Sequence, residues 1–253
     1  MASLNLRGAG SGRSRTKWKD VNDIVRQKGL SLLAVQETHL TDEYLDILKM
    51  RYKYLEIVSS PDPDNASGKG GVAIILNRSN TCWQEITTEV IVPGRALGVT
   101  VRWGHASKLK VVAIYAPSGN HVENANFWTA LKERWDGTPE DRPDVLLGDL
   151  NMVESGIDRL PANTDPEMVV GAFRDLKESC SLIDGWMATH MTEKPQYTYR
   201  TMRRDAANAR SRIDRIYLRE NLFDLSYEWT IVDSGIERLN HYLITAYVAT
   251  SVT

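Results

Sequence analysis

The sequence predicts an α+β sandwich: two packed β-sheets with helices on their outer faces, in a single domain. Short apolar, β-branched runs recur along all 253 residues, at 32–35, 72–76, 97–101, 109–114, 145–147, 213–218 and 243–248. Each is bounded by polar, Gly or Pro punctuation, the profile of buried strands. Helical stretches interrupt these runs irregularly and no GxGxxG turn follows a strand, which excludes a Rossmann fold and a TIM barrel. Composition agrees, with 42% hydrophobic and 25% charged residues and no repeat or long linker.

Each element has a local reason. SLNL places Asn5 within a first strand. Over 16–28, Trp18, Val21, Ile24 and Val25 share one helical face, and Gly29 supplies a stop. Thr41 caps a helix over 42–50, with Asp42 and Glu43 suited to the positive end of its dipole. Cys82 falls in a strand-like run, TCWQEI. Trp128, Leu131 and Trp135 recur at helical spacing over 122–135. Asp165-Pro166 opens a helix through Cys180, with Val169, Phe173 and Leu176 on its inner face.

Composition also bounds function. No apolar run approaches the ~18–20 residues of a membrane span, and no signal-peptide core follows Met1. The two cysteines, Cys82 and Cys180, form no CxxC or zinc spacing and read as small buried side chains in a reducing, intracellular compartment. The net charge of −2, from 31 basic and 33 acidic residues, excludes a uniformly cationic nucleic-acid coat.

The chemistry collects at the ends of the apolar runs. Glu37 follows LLAVQ, Tyr115 closes VVAIY, and VLLGDLN brings Asp149 and Asn151 two residues apart, so that both leave the strand end on one face. Asp214 lies inside an apolar run, where an unpaired carboxylate is costly, and Asn240 and His241 begin the last strand. Alone, each has a structural reading; together they suit phosphodiester hydrolysis. Glu37 with Asn5 offers oxygen ligands to a hard divalent cation, and Asp149 orients or deprotonates a water. His241, held by Asp214, meets negative charge on phosphorus, and the Tyr115 hydroxyl donates to a phosphate oxygen.

In order, SLN, QET, IYAP, GDLN, YTY, SRID and NH resemble the motifs of the endonuclease/exonuclease/phosphatase superfamily, over nearly the whole chain from Asn5 to His241. KGGVAIIL, LGDLNMV, LIDGW and SRIDRIYL look like the apurinic-like endonuclease domain of LINE-type (non-LTR) retrotransposons. The resemblance implies a four-layer α/β-sandwich of two mixed sheets flanked by helices. It also implies metal-dependent nicking of one DNA strand, leaving a 3′-hydroxyl that primes reverse transcription at the target. By that pattern Asn5, Glu37 and Asn240 fall at a site for Mg²⁺, with Mn²⁺ as the alternative. Glu37, Tyr115, Asp149, Asn151, Asp214 and His241 are then catalytic. The partners expected are duplex DNA and, in a full-length element, a linked reverse transcriptase; the compartment expected is the nucleus. The chain enters its first strand at Ala2 and stops just past its last, as a domain cut from a longer polyprotein would.

Two departures stand out. Where the family reads Asp-His, this chain reads Asn240-His241, which removes a charge and predicts attenuated activity. Where the family often has Asn after IYAP, Ser118 stands, with shorter reach. The places matching an abasic enzyme's aromatic wall are read as Arg200 and Ser211, a poor pocket for a base-less sugar.

Basic residues gather beside these motifs. Arg7, Arg13, Arg15, Lys17 and Lys19 follow Asn5, and Arg200, Arg203, Arg204, Arg210, Arg212, Arg215 and Arg219 surround YTY and SRID. Phosphate contacts carry much of the affinity for a duplex, so Arg7, Ser118, Thr198, Arg200, Ser211 and Arg212 are expected to touch DNA. Arg203 and Arg204, on the hairpin between Thr198 and Ser211, are expected in a minor groove. The alternatives are a phosphatase or phosphodiesterase of the same superfamily acting on inositol phosphates or sphingolipid, and a catalytically weak DNA-binding domain.

Overall fold

Strands covered on both faces read as unbroken apolar runs, because neither side of the pleat meets water. The computed structural model, which describes residues 1–9, 16–104, 107–191, 193–202 and 209–250, shows what covers them. The first sheet runs β14 (Ser226–Val232), β15 (Leu243–Val248), β1 (Ala2–Asn5), β2 (Leu32–Gln36), β4 (Val72–Asn77), β3 (Leu55–Ser60). The second runs β10 (Leu182–Asp184), β13 (Asp214–Arg219), β8 (Val145–Asp149), β7 (Ser107–Tyr115), β6 (Ala96–Trp103), β5 (Thr87–Val92). A small third sheet joins β11 (Tyr199–Arg200), β12 (Arg210–Ser211) and β9 (Arg159–Leu160).

The two large sheets repeat one pattern. In each, a central parallel pair, β1/β2 or β7/β8, is flanked by antiparallel neighbours on both sides. Alternation along the strands then sorts the core. Leu32 and Ala34 of β2 face the other sheet, with Val99, Val111 and Leu147, whereas Leu33 and Val35 face outwards. That outer face is covered by α1 (Lys17–Gln27) and α2 (Asp42–Arg51) through Trp18, Val21 and Leu48. The second sheet is covered by α3 (His121–Gly137) and α4 (Glu167–Ser179) through Trp128, Leu131, Phe173 and Leu176. The layers are therefore helix, sheet, sheet, helix, the four-layer sandwich expected. Two short helices, α5 (Gly185–Thr189) and α6 (Glu220–Phe223), pack beside β10 and β13.

Thr41 caps α2 by accepting the Tyr44 N–H at 3.3 Å, as expected. The Cys82 run is corrected: Trp83–Glu85 is a 3-10 turn, and the strand begins only at Thr87. The 165–180 helix also starts later, at Glu167, because Asp165 accepts the Val153 N–H at 2.7 Å and pairs with Arg159 at 2.9 Å. The strands β3, β5 and β14 escaped the sequence reading because exposed or half-buried residues interrupt their apolar pattern. Gly148 is required where it stands: its φ is +146°, and a Cβ would lie 1.9 Å from the Ile114 carbonyl oxygen of the parallel neighbour.

Candidate active site

In open α/β sheets, ligands collect beyond the carboxyl ends of parallel strands, where side chains leave the pleat. Here both parallel pairs end on the same rim. Asn5 ends β1, Glu37 follows β2, Tyr115 ends β7 and Asp149 ends β8. Register completes the set: Asp149 pairs with Tyr115 on one side and with Asp214 on the other, and Tyr199 bridges His241. Glu37, Tyr115, Asp149, Tyr199 and His241 line an open cleft of about 510 Å³ together with Arg7, Ser118, Asn151 and Asn240.

Direct bonds knit the cluster. The Asn5 side-chain amide donates to Glu37 Oε1 at 2.9 Å and to Asp149 Oδ2 at 2.8 Å, and its Oδ1 accepts the Arg7 N–H at 2.7 Å. The Asn151 N–H donates to Asp149 Oδ1 at 2.8 Å, while the Asn151 side chain is anchored on the Ala116 carbonyl oxygen. His241 Nδ1 lies 2.9 and 3.1 Å from the two Asp214 oxygens. Three residues here, Arg7, Glu37 and Asn151, hold φ near +50°, a conformation costly for side chains other than Gly.

Burial and proximity set the charges. Burial, then the nearby Asp214 carboxylate, pushes Asp149 up to about 7. Burial works against charge on His241, but the Asp214 carboxylate outweighs it and raises the imidazole to about 9. Burial, with Glu37 and Asp149 beside it, raises the Tyr115 hydroxyl well above its usual value, so it remains a donor at neutral pH.

The donor set suits a hard divalent cation, being mostly carboxylate and amide oxygen. Asp149, Asp214 and His241 present ligand atoms within 4.8 Å of one another. Asn240 adds an independent sign. Its amide donates to the Arg200 carbonyl at 3.2 Å, yet its own oxygen is buried with no hydrogen-bond partner among the described residues. A buried acceptor left this way invites a cation or a donor from the cleft. Of the expected ligands, Glu37 and Asn240 line the cleft, whereas the Asn5 amide spans two carboxylates.

Several expected DNA contacts are corrected. Thr198 is fully buried, its hydroxyl accepting the Ile213 and Asp214 N–H groups at 3.1 and 2.9 Å, so it positions the start of β13 and reaches no phosphate. Arg212 is 1% exposed and ion-paired with Asp158 and Asp184 at 2.8 and 2.7 Å. Arg215 is likewise buried, bonded to Asp158, Asp184 and Glu154, each at 2.8 Å. Burial raises Asp184, but these two guanidiniums outweigh it and hold the carboxyl below its usual range. Lys17 is also turned inward: its ammonium donates to the Leu6, Arg7 and Gly8 carbonyls at 2.7, 3.3 and 3.0 Å. Arg7 and Ser118 are exposed at the cleft, and Arg200 is exposed on β11. Ser211 is half-buried and accepts from Arg159 at 3.4 Å. Arg13, Arg15, Arg203 and Arg204 lie outside the described residues.

The wall of the cleft also differs from expectation. Tyr199, Met202 and Ile213 line it, not Arg200 and Ser211. Alternation on β11 turns Tyr199 in and Arg200 out, so the cleft does carry an apolar face. Arg95 went unread. From the turn between β5 and β6 its guanidinium lies 4.8 Å over the Tyr115 ring, a neighbour that sequence separation conceals. A second cavity, of about 310 Å³, opens at the opposite pole between Leu32, Val101, Leu109 and Val248 and holds none of the predicted site residues.

Comparison with known proteins agrees with this architecture. The model of the Endonuclease/Exonuclease/phosphatase family matches residues 2–236. The 149 kDa protein of transposon TX1 from Xenopus laevis is 27% identical over 233 residues, covering 91% of this chain but only 17% of that protein. An AP endonuclease from Archaeoglobus fulgidus superposes with a TM-score of 0.78 at 18% identity, covering 98% of both chains. The endonuclease domain of TRAS1, a telomere-specific non-LTR retrotransposon, superposes with a TM-score of 0.69 at 13% identity, covering 98% of this chain and 96% of that one.

Proposed function

The chain belongs to the endonuclease/exonuclease/phosphatase family, a group of metal-dependent hydrolytic nucleases and phosphatases, and on that premise we propose that it nicks one strand of duplex DNA to leave a 3′-hydroxyl. The observation that carries this reading is the convergence of Glu37, Tyr115, Asp149 and His241 on one open cleft, with Asn5 and Asp214 bonded behind them and Arg7 at its edge. The transposon TX1 relative and the TRAS1 likeness support a retroelement role, in which that hydroxyl primes reverse transcription by a linked polymerase.

The residues divide the work. Asp149, close to neutrality in pKa and steadied by Asn5 and the Asn151 N–H, accepts a proton from a water. The water oxygen adds to phosphorus, the bond to the 3′-oxygen breaks, and that oxygen takes up one proton. His241, kept cationic by Asp214, and the Tyr115 hydroxyl donate to the phosphate oxygens as their charge grows. Glu37 and Asn240 are the cleft-lining residues that would hold Mg²⁺ or Mn²⁺, which would supply charge neutralisation at the phosphate. Asn240 leaves that site one charge short of the family pattern, so activity is lower than an aspartate would allow.

Supercoiled-plasmid nicking tests the reading. Open circles should form with Mg²⁺ and not with EDTA, and a polymerase should extend the nick directly. Phosphate release from inositol polyphosphates without nicking would overturn it in favour of the phosphatase alternative. Duplex binding without nicking, even by an Asn240→Asp variant, would leave only a DNA-binding domain.

A further inference from the structure

We propose that a tyrosine-lined groove beside the cleft is a stacking site for an unpaired nucleotide of the DNA strand; this rests on reading the cleft as a nicking site. The groove, of about 250 Å³, is framed by Tyr197, Tyr199 and Tyr242, with Arg210, Gln196 and Ile231 around them. It lies below the ~300–1,000 Å³ of drug-sized ligand pockets, so it admits one flat ring system rather than a base pair.

Tyr199 belongs to both places. One side of its position lines the cleft, where its ring centroid is 4.9 Å from that of His241, and it also borders the groove. A strand held at His241 by its phosphate therefore meets the groove immediately across this ring.

The three rings are presented by one rigid frame. Thr198 stands between Tyr197 and Tyr199, its hydroxyl clamped to the Ile213 and Asp214 N–H groups. Its N–H donates to the Ser211 carbonyl at 3.0 Å, and its carbonyl accepts the Tyr242 N–H at 2.7 Å. The groove and the Asp214–His241 pair are thus parts of one hydrogen-bonded unit, and neither needs to be ordered when a ligand arrives.

The lining chemistry selects the ligand. Tyrosine faces stack on any base, and an exposed guanidinium beside them complements a phosphate. Gln196 offers both a donor and an acceptor to a base edge. No carboxylate occurs among the described lining residues, so nothing there repels a polyanion.

A six-nucleotide single strand carrying 2-aminopurine, titrated into the full chain in EDTA, reads stacking as fluorescence quenching without cleavage. Saturable quenching is expected. Tyr197→Ala and Tyr242→Ala should each weaken binding about 5- to 150-fold, the loss typical of one stacked base. Tyr242→Phe, which keeps the ring, should bind within twofold of wild type and guards against misfolding as the explanation. Asp149→Asn should lose nicking and keep the oligonucleotide, so the groove and the cleft fail separately. No quenching by the wild-type chain, or native-like binding by both folded Ala variants, overturns the proposal.

Discussion

Asn5 donates a 2.8 Å hydrogen bond to Asp149, 144 residues away, and thereby joins the carboxyl end of β1 in one sheet to that of β8 in the other. The same amide holds Glu37 at 2.9 Å. One side chain therefore sets the spacing of two carboxylates at the rim shared by the two sheets.

Asn240→Asp supplies the charge that the motif resemblance implies at this position. We expect the Mg²⁺ concentration giving half-maximal nicking to fall at least about tenfold, as a charge-assisted contact replaces a neutral one. The same change forfeits the amide's bond to the Arg200 carbonyl, so folding stability should drop by about 1 kcal/mol. Equal nicking rates across a Mg²⁺ series would show that the amide is not limiting.

The His241 imidazole should titrate near pH 9 in the metal-free protein, because the Asp214 carboxylate outweighs burial. In Asp214→Asn, burial acts with its main opponent removed, and the ring should lose its proton at a markedly lower pH. Nitrogen chemical shifts of the imidazole followed from pH 5 to 10 check both, and a titration unmoved by Asp214→Asn would contradict the pairing.

Lys17 and Arg7, ten residues apart, should separate cleanly in salt dependence. Arg7 is exposed at the cleft, so Arg7→Ala should lower the salt slope of duplex binding by about one. Lys17 spends its ammonium on three backbone carbonyls. Lys17→Met should leave that slope unchanged and lower stability by about 1–3 kcal/mol. A reduced slope in Lys17→Met would mean that the ammonium grips phosphate after all.

Arg215→Met strips one cation from a buried cluster and leaves Asp158, Asp184 and Glu154 with less compensation. Removing one partner of such a network costs about 3–5 kcal/mol, measurable as a lower urea midpoint. A loss under 1 kcal/mol would mean that water or Lys177, which also bonds Glu154, takes up the role.

Burial pushes the Cys180 thiol up to about 11, so it should resist alkylation at pH 8. Cys82 is partly exposed and should label first. Mass spectrometry of the native protein after brief iodoacetamide treatment reads the ratio, and preferential labelling at Cys180 would contradict its burial.

Much of this protein was legible in its sequence because strands covered on both faces must be apolar throughout. The runs that became β2, β4, β7, β8 and β15 announced themselves, and the polar residues that ended them marked the rim. Local chemistry also placed the Thr41 cap and the buried faces of α1, α3 and α4. What residue order alone does not contain is which way a charge points. Lys17, Arg212 and Arg215 have the composition of a DNA-facing surface, yet Lys17 satisfies backbone carbonyls of the preceding loop, and the two arginines satisfy buried carboxylates contributed by distant segments. The overall charge of −2 was therefore an imperfect guide in both directions: part of the apparent basic flank is internal, and the cationic face left at the cleft is narrower than the count of arginines implies. Pairing, register and burial are non-local quantities, and only the packed sheets decide them.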